Sequence, residues 1–282
     1  MKNNSIRIRS RNIHGSVQHY YHFILGYLLP LIHWLYIEKN IFNYEYIYID
    51  DPKIMKKHLK NIFPKKVKFY REDYHSEINM SKTLIGFDQK DNYPLKLIRE
   101  STEELKSLLS NSQIFEKENN IDSEKTKKIL IINRCKPDKF YSSDECERKG
   151  SGIERRSTPN LINIKNLLEK YNYKFIDLEN ESLKNQIKLF GEHDFIIAQH
   201  GAALSNIIFC KKNSIIIEIR PRRDKKDSVL NSSQYKQQNH FEILSQSLGL
   251  KYFEVFQEHN HSEFNLKDIV NLIKKNIGLV EV

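Results

Sequence analysis

FIIAQHGAALSNIIF, residues 195–209, decides how this chain is read. An apolar strand runs into His200 and Gly201, and an apolar helical stretch starts almost at once. Glycine at such a seam permits a conformation that other residues resist. The amides of Ala202, Ala203 and Leu204 would then open a helix, whose N-terminus attracts negative charge. In open α/β sheets ligands bind at the carboxyl ends of the strands, where this turn falls. Glu218 ends the next apolar strand at the same edge, and a carboxylate there can accept hydrogen bonds from ribose hydroxyls. Together these residues suggest a nucleoside diphosphate with its ribose. A strand–helix turn with a capping histidine and an incidental glutamate has the same spacing, so more specific residues must decide.

The pattern outward from this turn is strand and helix in alternation. Upstream lie the apolar strand 127–133, a long polar loop to Thr158, a helix over 160–171 opened by a Thr158 cap and Pro159, a strand over 173–178 and a helix over 182–192. Downstream come the strand 214–220, a helix over 233–248, a strand over 251–256 and a helix over 265–277. Near-continuous apolar strands alternating with helices predict parallel sheets covered on both faces. The N-terminal half is less regular: strands at 5–9, 44–50, 66–70 and 82–87, helices at 16–37, 54–63 and 94–119. KENNIDSEKTKK (117–128) is polar and reads as the linker between residues 1–120 and 121–282.

With 282 residues, 39% hydrophobic and 29% charged, the composition fits a globular enzyme and argues against long disorder. The net charge of +10 favours anionic partners. The basic residues are dispersed, with no arginine-rich tail or zinc-finger spacing, which ranks a nucleic-acid binder last. Three cysteines, Cys135, Cys146 and Cys210, form no disulfide framework and predict a reducing, cytoplasmic setting. Residues 23–37 are apolar but shorter than the ~20 residues of a spanning helix, and Pro30 and His33 interrupt them, so a buried helix is expected.

HGAALSNIIF followed by IIIEIRP resembles the signature of the family 61 glycosyltransferases, where a His-Gly-Ala turn, a Leu-Ser/Thr-Asn helix start and a Glu-Leu/Ile-x-Pro strand end recur in this order. QHYYHFILGYLLPL (18–31), ILIINR (129–134) with Arg155 or Arg156 beyond it, and SLKNQIKLF (182–190) are similar to further segments of that family. The resemblance implies a GT-B-like α/β fold, two Rossmann-like domains with mostly parallel sheets facing across a cleft, the first on the acceptor side and the second binding nucleotide sugar. It also implies inverting transfer, usually without a bound metal or other cofactor, from a UDP-linked sugar to a glycan or other hydroxyl acceptor. Arg134 and Arg156, and less directly Arg155, would hold phosphate, because an arginine fork suits a diphosphate. His200, Gly201 and the amides of Ala202, Ala203 and Leu204 would share that task. Glu218 would hold the ribose and Asn206 would brace the turn.

One departure matters. Many family members carry an acid four positions after the histidine of the N-terminal motif, and this chain has Gly26 there. Inverting transfer needs a base for the acceptor hydroxyl. His22 is the remaining candidate, since an unperturbed imidazole titrates near neutrality, although a histidine on an apolar helix is as readily a core residue. The missing acid also leaves open a non-catalytic relative that binds a nucleotide sugar or glycan. His19 with His22, and Glu258-His259-Asn260-His261, lack a partner set with zinc spacing and read as surface or capping residues.

Overall fold

The structure, a computed structural model, describes residues 4–11, 15–89, 92–111, 127–222 and 239–277. Most of the expected linker, and residues 233–238 of an expected helix, lie outside the described residues. The chain divides into two compact units, Met1–Lys117 with Ser182–Lys184, and Glu118–Glu181 with Asn185–Val282.

In the first unit, β1 (Ser5–Arg11), β2 (Tyr46–Ile49), β3 (Val67–Phe69) and β4 (Ser81–Ile85) form a parallel sheet in the order β3-β2-β1-β4. Strand order reverses between β1 and β4. Ile6 and Ile8 of β1 and Ile47 and Ile49 of β2 are buried, while Arg7, Tyr46 and Tyr48 alternate with them on a half-exposed face. The second face is therefore less covered than the sheet type led us to expect.

The apolar stretch after β1 forms a helical run, α1 (residues 20–37), that starts four residues later than predicted. It is not a uniform α-helix. Ordinary turns at Tyr20–Phe23 and Leu29–Ile32 alternate with wider π turns at Ile24–Leu28 and His33–Ile37. Pro30 explains what this does to one carbonyl. In the π turn the Leu29 amide donates to Ile24 rather than to Leu25. The next residue that could serve Leu25 is Pro30, which has no N–H. The Leu25 carbonyl takes a donor from outside the helix instead, the Phe87 amide at 2.6 Å. Buried Phe23, Ile24, Leu28, Leu29, Ile32 and Leu35 make this helix the core of the unit, with Ile98 and Leu105 of α2 (Leu95–Asn111) beside it.

In the second unit, β5 (Lys128–Asn133), β6 (Asn172–Asp177), β7 (Phe195–Gln199), β8 (Ile215–Pro221) and β9 (Lys251–Gln257) form a parallel sheet in the order β6-β5-β7-β8-β9. Here the order reverses between β5 and β7. Its helices are α3 (Leu183–Glu192), α4 (His240–Leu248) and α5 (Leu266–Ile277). Ile129, Ile131, Phe195, Ile197, Ile215 and Ile217 pack with Ile269 and Ile273 of α5. These strands are buried on both faces, which is why they read as unbroken apolar runs.

Three expected helices are shorter or tighter than their spacing suggested. Residues 54–63 give a 3₁₀ segment, Lys53–Leu59. Residues 160–171 give only Leu161–Asn163 and Ile164–Leu167, begun by Asn160, whose side chain donates to the Phe264 carbonyl rather than capping. Residues 203–210 wind as 3₁₀ turns over Ala202–Phe209. The polar loop before Thr158 also holds two single turns that periodicity missed, Lys139–Ser142 and Gly152–Arg155.

Candidate active site

The His200–Gly201 turn sits at the carboxyl end of β7, and Arg134 follows β5 directly. They are neighbours at the point where the strand order reverses, the usual ligand crevice of such a sheet. The backbone extends β7 by one more bond, His200 N donating to the Ile219 carbonyl at 2.7 Å.

Gly201 does not supply an unusual backbone. Its φ of 164° is extended and open to any residue. Its role is close approach: a β-carbon there would lie 1.9 Å from Arg134 Nη2. Arg134 spends its fork on the backbone of this turn. Nη2 donates to the His200 carbonyl at 2.7 Å and Nη1 to the Gly152 carbonyl at 3.0 Å, using two of the five N–H groups of a guanidinium. Burial and the nearby Arg156 and Arg155 push Arg134 down to about 10. Arg156 is also pushed down to about 10, by burial and Arg155, with Glu218 acting the other way. Its Nε donates to Asn260 Oδ1 at 3.3 Å, while Arg155 is exposed. Arg134 and Arg156, each disfavoured by burial and by a neighbouring guanidinium, form a site short of negative charge.

Glu218, the expected ribose contact, is engaged within the chain. It has no exposed side-chain surface, and both oxygens have partners. Oε1 pairs with His200 Nδ1, and Oε2 accepts from Asn239 Nδ2 at 2.7 Å and from the Tyr252 hydroxyl. Burial would push this carboxyl up, but the bonds from His200, Tyr252 and Asn239 outweigh it and hold it below the ordinary range. The Tyr252 phenol goes the other way, raised by burial and by Glu218. Register puts Glu254 of β9 beside Glu218 of β8. The two like charges are separated by the Asn239 amide, which also donates to Glu254 at 2.8 Å, and Arg220 pairs with Glu254 at 2.5 Å. Asn239, Tyr252, Glu254 and Arg220 were not found by sequence reasoning. The paired register of β8 and β9 brings the last three together, and Asn239 joins them from the N-cap of α4.

The first turn after Gly201 carries the Ala202, Ala203 and Leu204 amides, of which Leu204 N already donates to the Gly201 carbonyl at 3.0 Å. Asn206 is fully buried and donates to Gln186 Oε1 of α3 at 2.9 Å, and Gln186 in turn donates to the carbonyls of Leu178 and Glu181. Asn206 thus braces the turn from below. Of the EHNH stretch, His261 Nδ1 lies 3.1 Å from Ser157 Oγ and the Asn260 carbonyl accepts from Ser157 N, stitching this loop to the one bearing Arg156. Among the described residues no group of three His, Cys, Asp or Glu side chains could hold a metal ion.

In the first unit, His22 lies in the first turn of α1, its side chain 15% exposed. Its Nδ1 is 2.7 Å from Asp88 Oδ2, whose carboxylate is almost wholly buried. Asp88 is 66 residues away in sequence and was missed. The one signal it offered is position, three residues beyond the end of β4, beside the reversal point of its own sheet.

These features define a protein of two α/β units, one of which gathers arginines and a histidine–glutamate pair where its strand order reverses. The family model Glycosyltransferase 61 matches residues 20–217, and the chain belongs to that family. It is a glycosyltransferase, with a sugar donor and an acceptor as its substrates. No curated protein matches the chain. No helix among the described residues is long and apolar enough to cross a membrane.

Proposed function

We propose that this glycosyltransferase takes its sugar from a nucleoside diphosphate donor, UDP-linked, and transfers it with inversion to a hydroxyl of a growing glycan. The observation that carries this is the cluster of Arg134, Arg155 and Arg156 around the His200–Gly201 turn, where burial and mutual repulsion depress two guanidinium groups. A diphosphate relieves both penalties. It supplies the missing charge, and arginine forks match its oxygens. In this reading the leaving diphosphate is neutralised by arginines and by the amides of Ala202 and Ala203, without recourse to a metal. Glu218 acts through His200, fixing Nδ1 so that Nε2 is the nitrogen presented to the donor. The acceptor hydroxyl gives its proton to His22 in the first unit, the division of labour of a GT-B enzyme. Three free cysteines fit work in a reducing cytoplasm, on a surface-glycan pathway.

Thermal stabilisation by a panel of nucleotides and nucleotide sugars tests the reading, since a ligand that binds only the folded chain raises Tm with its concentration. One nucleoside diphosphate should stabilise the wild type and lose that effect in His200→Ala and Arg156→Ala. No stabilisation by any nucleotide in the panel would sink the donor assignment.

A further inference from the structure

The acid that many relatives carry one helical turn beyond this histidine is replaced here by Gly26, yet the site around His22 is built for a carboxylate from elsewhere. Gly26 is buried, and the chain segment after β4 lies against it. A β-carbon on Gly86 would lie 2.9 Å from the Gly26 α-carbon and 2.5 Å from Asp88 Oδ1. Two glycines back to back therefore let the 86–88 segment reach the helix. The segment is fastened there by the Phe87 amide on the Leu25 carbonyl, the one carbonyl that the π turn and Pro30 leave without a helical donor. One residue further on, Asp88 meets His22. On the other side of the ring, Gly15 approaches so closely that a β-carbon would lie 1.9 Å from Nε2. Gly15 follows β1 and Asp88 follows β4, so His22 is held between the two strand ends that flank the reversal of strand order. That is where such a sheet binds its ligand.

We infer that Asp88 is the positioning residue of this site: it fixes His22 through Nδ1 and provides the negative charge that Gly26 cannot, so that Nε2 is the nitrogen left to take a proton. The inference rests on the reading of His22 as the base. Asp88 touches no substrate in this scheme; it selects the tautomer and stabilises the imidazolium formed when the acceptor hydroxyl loses its proton, as second carboxylates do behind catalytic histidines. A cradle assembled from Pro30, Gly26, Gly86 and Gly15 around one histidine–aspartate hydrogen bond also separates this chain from a relative that has merely lost its acid.

The test combines turnover with a spectroscopic readout on the full chain. Turnover is release of nucleoside diphosphate from the stabilising nucleotide sugar, with water as the acceptor. Asp88→Asn should lower kcat by roughly 10- to 1000-fold, leave the donor KM and thermal stabilisation unchanged, and move the acid limb of the pH–rate profile to lower pH. Asp88→Glu should recover part of the rate. Imidazole ¹⁵N spectra, assigned with His22→Gln, should show neutral His22 protonated at Nδ1 in the wild type. If Asp88→Asn melts below the assay temperature, Asp88→Glu and the wild-type tautomer carry the test. Full turnover with an unmoved pH limb in a folded Asp88 variant, or an Nε2-protonated His22 in the wild type, overturns the inference. Absence of any stabilising nucleotide would instead remove the donor assignment, and the tautomer would still decide whether Asp88 sets His22.

Discussion

Arg134 and Gly201 occupy one another's space: Arg134 Nη2 lies where it would be 1.9 Å from any β-carbon at position 201. The guanidinium holds the turn that carries His200 by donating to that residue's carbonyl. Gly201→Ala therefore has to expel a largely buried cation from its two carbonyl partners. The expected cost is about 1–3 kcal/mol, as for other forced overpacking, with loss of nucleotide stabilisation. Thermal melts with and without the stabilising nucleotide measure both. An alanine variant that keeps its affinity would show that Arg134 does not shape the site.

The bond network around Glu218 makes a pH-dependent contribution to stability. Its carboxyl is held below its ordinary range in the folded chain. Its contribution is therefore fully present above the unfolded value, near 4.3 for glutamate, and is lost as pH falls through the depressed folded value. Glu218→Gln should cost about 1–3 kcal/mol at neutral pH, since it replaces a buried carboxylate hydrogen-bonded by His200, Asn239 and Tyr252 with an amide that cannot satisfy all three. That difference from wild type should narrow as both are acidified below about pH 4. Denaturant unfolding at several pH values gives the two curves, and parallel curves would contradict the network.

His58 gives the same sign by a different cause. It is buried edge-on to Tyr20 at 5.3 Å, and burial, aided by Lys57, pushes it down to about 4. Between that value and the unfolded one near 6.5 the unfolded chain binds more protons, so stability rises with pH across this window. His58→Gln removes the proton-binding difference. Its stability should change less between pH 4 and 6.5 than that of the wild type, by an amount on the order of 3 kcal/mol. An equal slope in both chains would mean that His58 is protonated in the folded state.

What the sequence made legible follows from which interactions are local. All nine strands among the described residues were readable, most of them because burial on one or both faces writes a period of two, or an unbroken apolar run, into consecutive residues, though β4 is largely exposed. The His200–Gly201 turn was readable because strand end, glycine and helix start are adjacent. The winding of Ala202–Phe209 was not, since Leu204, Ile207, Ile208 and Phe209 are buried all round and show no face. The reason for Gly201 was misread for a similar cause: a demand for close approach by Arg134, 67 positions earlier, leaves the same letter as a demand for a special backbone. Asp88 and Tyr252 reach their partners through strand order and register, and Asn239 reaches Glu218 from the N-cap of α4; no single segment encodes these meetings.

The pair Asn206 and Gln186 is the part of the site whose energetics can be isolated. Both are buried, and the amide of one donates to the carbonyl of the other at 2.9 Å, tying the 202–209 turn to α3. Asn206→Leu leaves Gln186 Oε1 buried without its donor and should cost about 1–3 kcal/mol. Gln186→Leu should cost at least as much, because the Leu178 and Glu181 carbonyls also lose a donor. The double variant should be less destabilised than the sum of the two by about 1 kcal/mol, since the orphaned partner is then gone. Stability from denaturant curves closes this cycle, and nucleotide affinity measured on the same proteins reports whether the brace acts on the site. A brace that matters to the site lowers affinity in both single variants. Additive stabilities would show that the contact is geometric without being energetic, and unchanged affinity would place the positioning of the turn with Arg134 alone.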